Sequence, residues 1–367
     1  MIEMMSFQPD WISPPGDTIE DILEERGWSK VEFAQRTGFT TKHVNDLVKG
    51  RAPISANAAE RLSRVLGSTS DFWLVRDAQY QAARERRRAI EEAKSDAPWL
   101  RELPLAWMRR HHWVPSRSAK GAQVLECLRF FGVVSVSAWR DKYAVPLAAF
   151  RASDKFDKKI GAVAAWLREG ERRATAMRCQ PFNASAFKSA LRDLRAMTNE
   201  PDPDVFVPKL LELCSQRGVA VVFVPAPTGC PASGATQWLA PDRAMLLLSL
   251  RHRSNDHLWF TFFHEAGHLL LHGKRMMFIE GVEGLDEAHE AEADRFARDL
   301  LIPPAAAKRL ATLTSSGRVS KARVRAFARD IGIAPGIVVG RMQKEDWLDW
   351  KFMNDLKVRY SLEDKLD

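Results

Sequence analysis

The sequence predicts a mainly α-helical protein with an α+β region, built on a small mixed or antiparallel sheet, toward its C-terminal end. Three observations carry this. Between residues 13 and 96 apolar residues recur at helical spacing, broken by short polar joints. From about Gly218, β-branched runs such as VAVVFVP (219–225) read as buried strands. Two long helical stretches, residues 256–272 and Glu287–Leu301, come after them. At 367 residues the chain exceeds one small domain. We divide it into a five-helix domain at 1–97, a helical basic connecting region at 98–200, a core at 201–310 and a helical extension of that core at 311–367. The boundary near 200 rests on the run Asn-Glu-Pro-Asp-Pro at 199–203.

Each N-terminal helix has a start signal. Asp17 or Thr18 is expected to cap the first, which ends near Gly27. Ser29 caps the second, and Glu32 stands three residues on, a capping-box spacing. After a turn at Gly38 and Phe39, residues 40–48 form a third helix, and 56–66 and 71–94 supply the last two. Helices two and three have helix-turn-helix spacing. Val31, Phe33, Ala34, Val44 and Leu47 are expected to pack them together, so that Thr40, Thr41, Lys42, His43, Asn45 and Asp46 face a DNA groove. Lys49 and Arg51 are placed to grip phosphate, with further attraction from the basic run at 84–88.

Composition narrows the class. With 46% hydrophobic and 28% charged residues the chain reads as an ordinary soluble protein. Apolar runs such as 244–250 fall far short of the ~18 residues of a membrane span. The first seven residues lack the basic start and apolar core of a secretory signal. Cys127, Cys179, Cys214 and Cys230 are scattered without a Cys-x-x-Cys pair, which points to reduced thiols in the cytoplasm and away from a Cys-ligated metal. The net charge of +8 is uneven, basic over 101–200 and acidic over 201–300. Solvation of helix surfaces accounts for that as simply as nucleic-acid contact and metal binding do.

The chemistry sits at His264-Glu265-Ala266-Gly267-His268. Histidines four apart share one helix face, so both imidazoles can reach one zinc ion. Glu265, a hundred degrees round, can take the proton of an attacking water and pass it to a leaving amine. Leu258, Phe262, Leu269 and Leu270 are available to bury the helix, and Gly267 permits close approach of a second element. A third protein ligand is needed. Leu271 and Lys274 stand where a metzincin has Gly and His, and His272 cannot converge with the other two on one straight helix. The acidic stretch 289–294 remains. There Glu290 could ligate while Asp294, four residues on, accepts from a ligand histidine and fixes its tautomer; Glu292 is the alternative ligand. His252, His257, His272 and His289 are expected to be structural or supporting. The short strand at 236–239 is a candidate edge for holding an extended substrate.

From Gly218 onward the chain resembles the ImmA/IrrE family of metallopeptidases over about 130–150 residues. The carrying segments are VAVVFVP, SGATQWL, LLLSLRHRSNDHLWFTFFHEAGHLLLHGK, EAEADRFARDLLIP and FARDIGIAPGIVVGRMQ, in that order. The resemblance implies a zincin-like core, one Zn2+ per chain held by His264, His268 and Glu290 in a gluzincin-like HExxH-plus-Glu site, and Glu265 as the catalytic base. It also implies action on or through transcriptional repressors in the bacterial cytoplasm. About 80 N-terminal residues, PPGDTIEDILEERGWSKVEFAQRTGFTTKHVNDLVKGRAPIS and AAERLSRVLGSTSDFWLVRDAQYQAAR, resemble Xre-type helix-turn-helix domains, and HigA-type antitoxins more closely. That implies a homodimer on a palindromic operator. The expected function is a DNA-binding zinc endopeptidase that cleaves a regulatory protein, with no membrane partner. The alternative is an antitoxin-like regulator whose zinc domain senses rather than cleaves.

Overall fold

The computed structural model describes residues 13–145, 160–249, 254–273, 278–279, 287–315 and 319–360. It comprises two compact units: residues up to Ala97 with Arg117–Leu125, and Pro98–Ser116 with the residues from Glu126 on.

The first unit holds α1 (Pro15–Arg26), α2 (Lys30–Thr37), α3 (Thr41–Val48), α4 (Ala56–Leu66) and α5 (Ser70–Glu92). Four of the five starts are capped by a hydroxyl: Ser29, Thr40, Ser55 and Thr69 each accept the backbone N–H three residues on. The first is not. Asp17 and Thr18 lie inside α1, which starts on Pro15, where a ring-fixed φ suits the first helical position. Ile19, Leu23, Phe33, Val44, Leu47, Leu62 and Trp73 form the core. A Cβ on Gly16 would fall 1.8 Å from the Val48 carbonyl oxygen, so this glycine sets the approach of α1 to α3. Val31 does not join the core; it is exposed, because the buried face of α2 runs through Phe33, Ala34 and Thr37 and Val31 lies off its edge, in the first turn.

In the second unit come α6 (Leu105–Arg110), then α7 (Lys120–Phe131), which continues from the first unit, α8 (Val136–Trp139), α9 (Ile160–Ala176), α10 (Ala184–Ala196) and α11 (Pro203–Ser215). The stretch Lys120–Ala144 is long and apolar enough to cross a membrane by length and composition alone, although no unbroken apolar run marks it in the sequence. Its Cys127, Phe131, Trp139 and Tyr143 are buried within the fold, as in a core helix.

The sheet is mixed, with strand order β1-β3-β2-β4. β1 (Val219–Phe223) runs parallel to β3 (Arg243–Leu248); β2 (Gly234–Ala240) is antiparallel to β3 and to the two-residue β4 (Phe278–Ile279). β1 is buried throughout, as its unbroken β-branched run requires. α9 lies on β1 and β3, where Gly170 makes room for Leu247 and the Trp166 indole donates to the Val224 carbonyl at 2.9 Å. So part of the expected connecting region is built into the same unit as the sheet. α12 (Asn255–Leu271) packs against β2, β3, α13 (Glu287–Leu301) and, through its far side, α16 (Pro335–Lys344). It is therefore buried nearly all round rather than amphipathic, though Leu270 is only partly covered. α14 (Pro304–Ser315) and α15 (Lys321–Ile331) lie between α13 and α16 in the chain.

Candidate metal centre

Gly267 lets α12 and α13 close on each other: a Cβ there would meet Phe296 at 3.1 Å and the Ala293 Cα at 3.3 Å. This approach brings His264 and His268 of α12 to Glu290 of α13, with their ligand atoms all within 4.8 Å of one another. The two Nε2 atoms face each other at 2.9 Å. Glu290 Oε2 lies 3.2 Å from His264 Nε2, and Oε1 lies 3.3 Å from His268 Nε2. A tetrahedral ion with bonds of ~2.0–2.1 Å spaces its ligand atoms about 3.3 Å apart, so the three fit a zinc ion. Glu290 Oε1 is also buried without a well-formed hydrogen bond, as an atom awaiting a cation would be.

Both histidines are supported from behind. His264 Nδ1 donates to Asp294 Oδ1 at 2.9 Å, which leaves its Nε2 lone pair toward the cluster. His268 Nδ1 lies 2.9 Å from His272 Nδ1, and His272 Nε2 lies 3.2 Å from Glu292 Oε2. The Phe278 ring stacks on His268, with centroids 4.0 Å apart. Burial drives the Glu290 carboxyl up, but the His264 and His268 rings against it outweigh that and hold it at about 2. Burial lowers His268. A neutral imidazole and an ionised carboxylate are the forms a metal takes.

Glu265 is fully buried, and its Oε2 accepts from the Thr236 hydroxyl on β2. Thr236 and Gly234 were missed in the sequence, where nothing links a strand residue to a helix residue 29 positions away. His272 and Glu292 carried a partial signal, the first as the third member of a four-residue histidine stripe. The expected substrate edge is corrected in part. Thr236 is paired on both sides, to Leu246 and Phe278, while Gln237 and Trp238 pair only with β3 among the described residues. His252 and Lys274 lie outside the described residues.

In the first unit Thr41, Lys42, Lys49 and Arg51 are exposed, and His43 and Asn45 are half-buried. Thr40 is exposed too, but its hydroxyl is engaged as the cap of α3, accepting from His43 N at 3.1 Å. The His43 ring stands edge-on to Phe39 at 4.8 Å. The Asp46 carbonyl accepts the Arg51 and Ala52 N–H groups and so shapes the turn that carries Arg51.

Residues 19–73 match the helix-turn-helix family model, and residues 214–327 match that of the IrrE N-terminal-like domain, peptidase family M78. An uncharacterised helix-turn-helix-type transcriptional regulator of Escherichia coli (strain K12), YddM, is 35% identical over 60 residues. The match covers 16% of this chain and 64% of that protein, so the chain spans less than two thirds of the relative's length. The chain is thus similar to helix-turn-helix domains over residues 19–73 and to IrrE N-terminal-like domains over residues 214–327.

Proposed function

We propose that this chain is a zinc-dependent endopeptidase that cleaves a regulatory protein, a transcriptional repressor in the first instance, and that its helix-turn-helix domain addresses it to an operator as a homodimer in the cytoplasm. The observation that carries the peptidase reading is the convergence of His264, His268 and Glu290 at one point of the α12–α13 contact. Zinc bound there would supply the Lewis acid that polarises a scissile carbonyl. Asp294 keeps the His264 Nε2 lone pair directed at the ion. Glu265 takes a proton from the attacking water on its carboxylate and delivers it to the leaving amine. Thr236 holds that carboxylate from the sheet side.

One feature supports a sensing role instead. A cavity of about 340 Å3 between α12, α13 and α16 is lined by Asp294, Phe260, Arg298, Arg341 and Lys344, so a ligand there would touch the carboxylate that supports His264. The two readings part on turnover. Comparing the proteomes of host strains carrying wild type and Glu265→Gln should reveal one regulatory protein that is cut only by wild type. Identical proteomes with identical regulation would refute the peptidase and leave the sensor.

A further inference from the structure

We propose that His272 and Glu292 form a positioning relay that fixes the tautomer of His268, so that its Nε2 lone pair, and not an N–H, is presented to the metal. This rests on the zinc reading above. Each neutral imidazole carries one N–H, and two arrangements of the pair are possible. In one, His268 Nδ1–H donates to His272 Nδ1 across 2.9 Å, and His272 Nε2–H donates to Glu292 Oε2 across 3.2 Å. Both of these contacts are then satisfied, and His268 Nε2 turns a lone pair toward His264 Nε2 and Glu290, where a metal would sit. In the other, His272 Nδ1–H donates and His268 carries its proton on Nε2. That N–H would point into the cluster, and a bare His272 Nε2 would face a carboxylate, lone pair against lone pair. An exposed carboxylate accepts and does not donate, so Glu292 selects the first arrangement.

The surroundings hold the relay in place. His272 ends α12 as its C-cap, with extended backbone, so its ring leaves the helical stripe and turns back on His268. Phe278 covers His268 and lies 5.1 Å from the His272 ring, while His289 stands 4.4 Å from it. The two ligand histidines are thus supported differently. Asp294 acts on His264 directly, and Glu292 acts on His268 through an imidazole. Glu292 consequently has a role other than ligation, two residues from Glu290 and turned a different way.

The test is a zinc competition between the full-length protein, stripped and reloaded, and a chromophoric chelator. His272→Phe keeps a ring against Phe278 but removes the acceptor, and should weaken zinc ~10–100-fold, the usual cost of losing a supporting partner. His272→Gln, whose amide oxygen can accept from His268 Nδ1, should restore most of that loss. Glu292→Ala should weaken zinc by about tenfold. Cobalt substitution adds a spectroscopic readout: the visible bands of His272→Phe should shift from those of wild type. Zinc affinity of folded His272→Phe within a factor of about three of wild type would overturn the relay, as would loss as complete as in His264→Ala, which would make His272 a ligand. Should His272→Phe fail to fold, Glu292→Ala decides alone, and unchanged affinity there overturns the relay. Wild type that takes up no zinc refutes the metallopeptidase reading instead.

Discussion

The Thr236 hydroxyl, in the middle of β2, donates to the carboxylate of Glu265 and lies 3.2 Å from its backbone carbonyl. One strand side chain therefore ties the sheet to the HExxH turn of α12. Gly234 completes the fit, since a Cβ there would stand 2.7 Å from Glu265 Oε1.

Thr236→Val keeps the volume and removes the donor. A hydrogen bond to a charged group is worth ~1.5–3 kcal/mol, so turnover should fall by roughly tenfold or more while zinc content stays at the wild-type level. Gly234→Ala should also lower turnover, by displacing the carboxylate. Both variants are assayed on the protein that accumulates in the Glu265→Gln strain. Full turnover in Thr236→Val would show that Glu265 needs no support from the sheet.

The parts of this centre differ in how far the sequence discloses them. His264, Glu265 and His268 are legible because one helix carries them and the 3.6-residue period fixes their relation. The α12–α13 approach is legible at Gly267, and the mixed sheet through β1 and β3. β4 is two residues long and leaves no periodic trace. Thr236 belongs to a strand whose register on α12 depends on tertiary packing, so no local pattern encodes its bond to Glu265. Val31 and Asp17 fail for a different reason. Residue type suggested packing and capping, but the phase of α2 and the proline start of α1 decided otherwise.

Purified protein should hold about one zinc per chain by elemental analysis. His264→Ala and His268→Ala should lose it, and Glu290→Ala should lose far more than Glu292→Ala, since only Glu290 lies against both Nε2 atoms. The reverse order would exchange the roles of the two carboxylates.

The Asp256 carboxylate and the Lys357 ammonium pair at 2.7 Å, both almost fully buried. Beside them the Asn255 N–H donates to the Val358 carbonyl and the Asn255 side-chain Oδ1 accepts the Val358 N–H, pinning the segment after α16 to the start of α12. Lys357→Met leaves a buried carboxylate without its partner and should cost ~3–5 kcal/mol. For a unit of this size that lowers Tm by roughly 10 °C or more. Adding Asp256→Asn should recover part of the loss, because the neutral amide no longer needs a cation. Calorimetry of the three proteins checks this; an additive double variant would mean the pair contributes nothing as a pair.

DNA binding separates positions that read bases from positions that hold phosphate. Thr41 and Asn45 lie four apart on α3, the first exposed and the second half-buried, and Lys49 and Arg51 follow as exposed cations at its end. Full-length protein should bind a palindromic site upstream of its own gene as a dimer, with half-sites about one helical turn apart. Thr41→Ala with Asn45→Ala should relax specificity, each lost base contact being worth ~1–3 kcal/mol. Lys49→Ala or Arg51→Ala should weaken binding to all sequences alike and reduce the salt slope by about one. Thr40→Ala is a control of a different kind. Its hydroxyl caps α3, so this change should cost ~1 kcal/mol of stability without altering which sequence is preferred. Titrations by fluorescence anisotropy at several salt concentrations distinguish these outcomes. No shift of the promoter DNA at low salt would exclude the operator role and leave the five-helix domain as a protein-docking module.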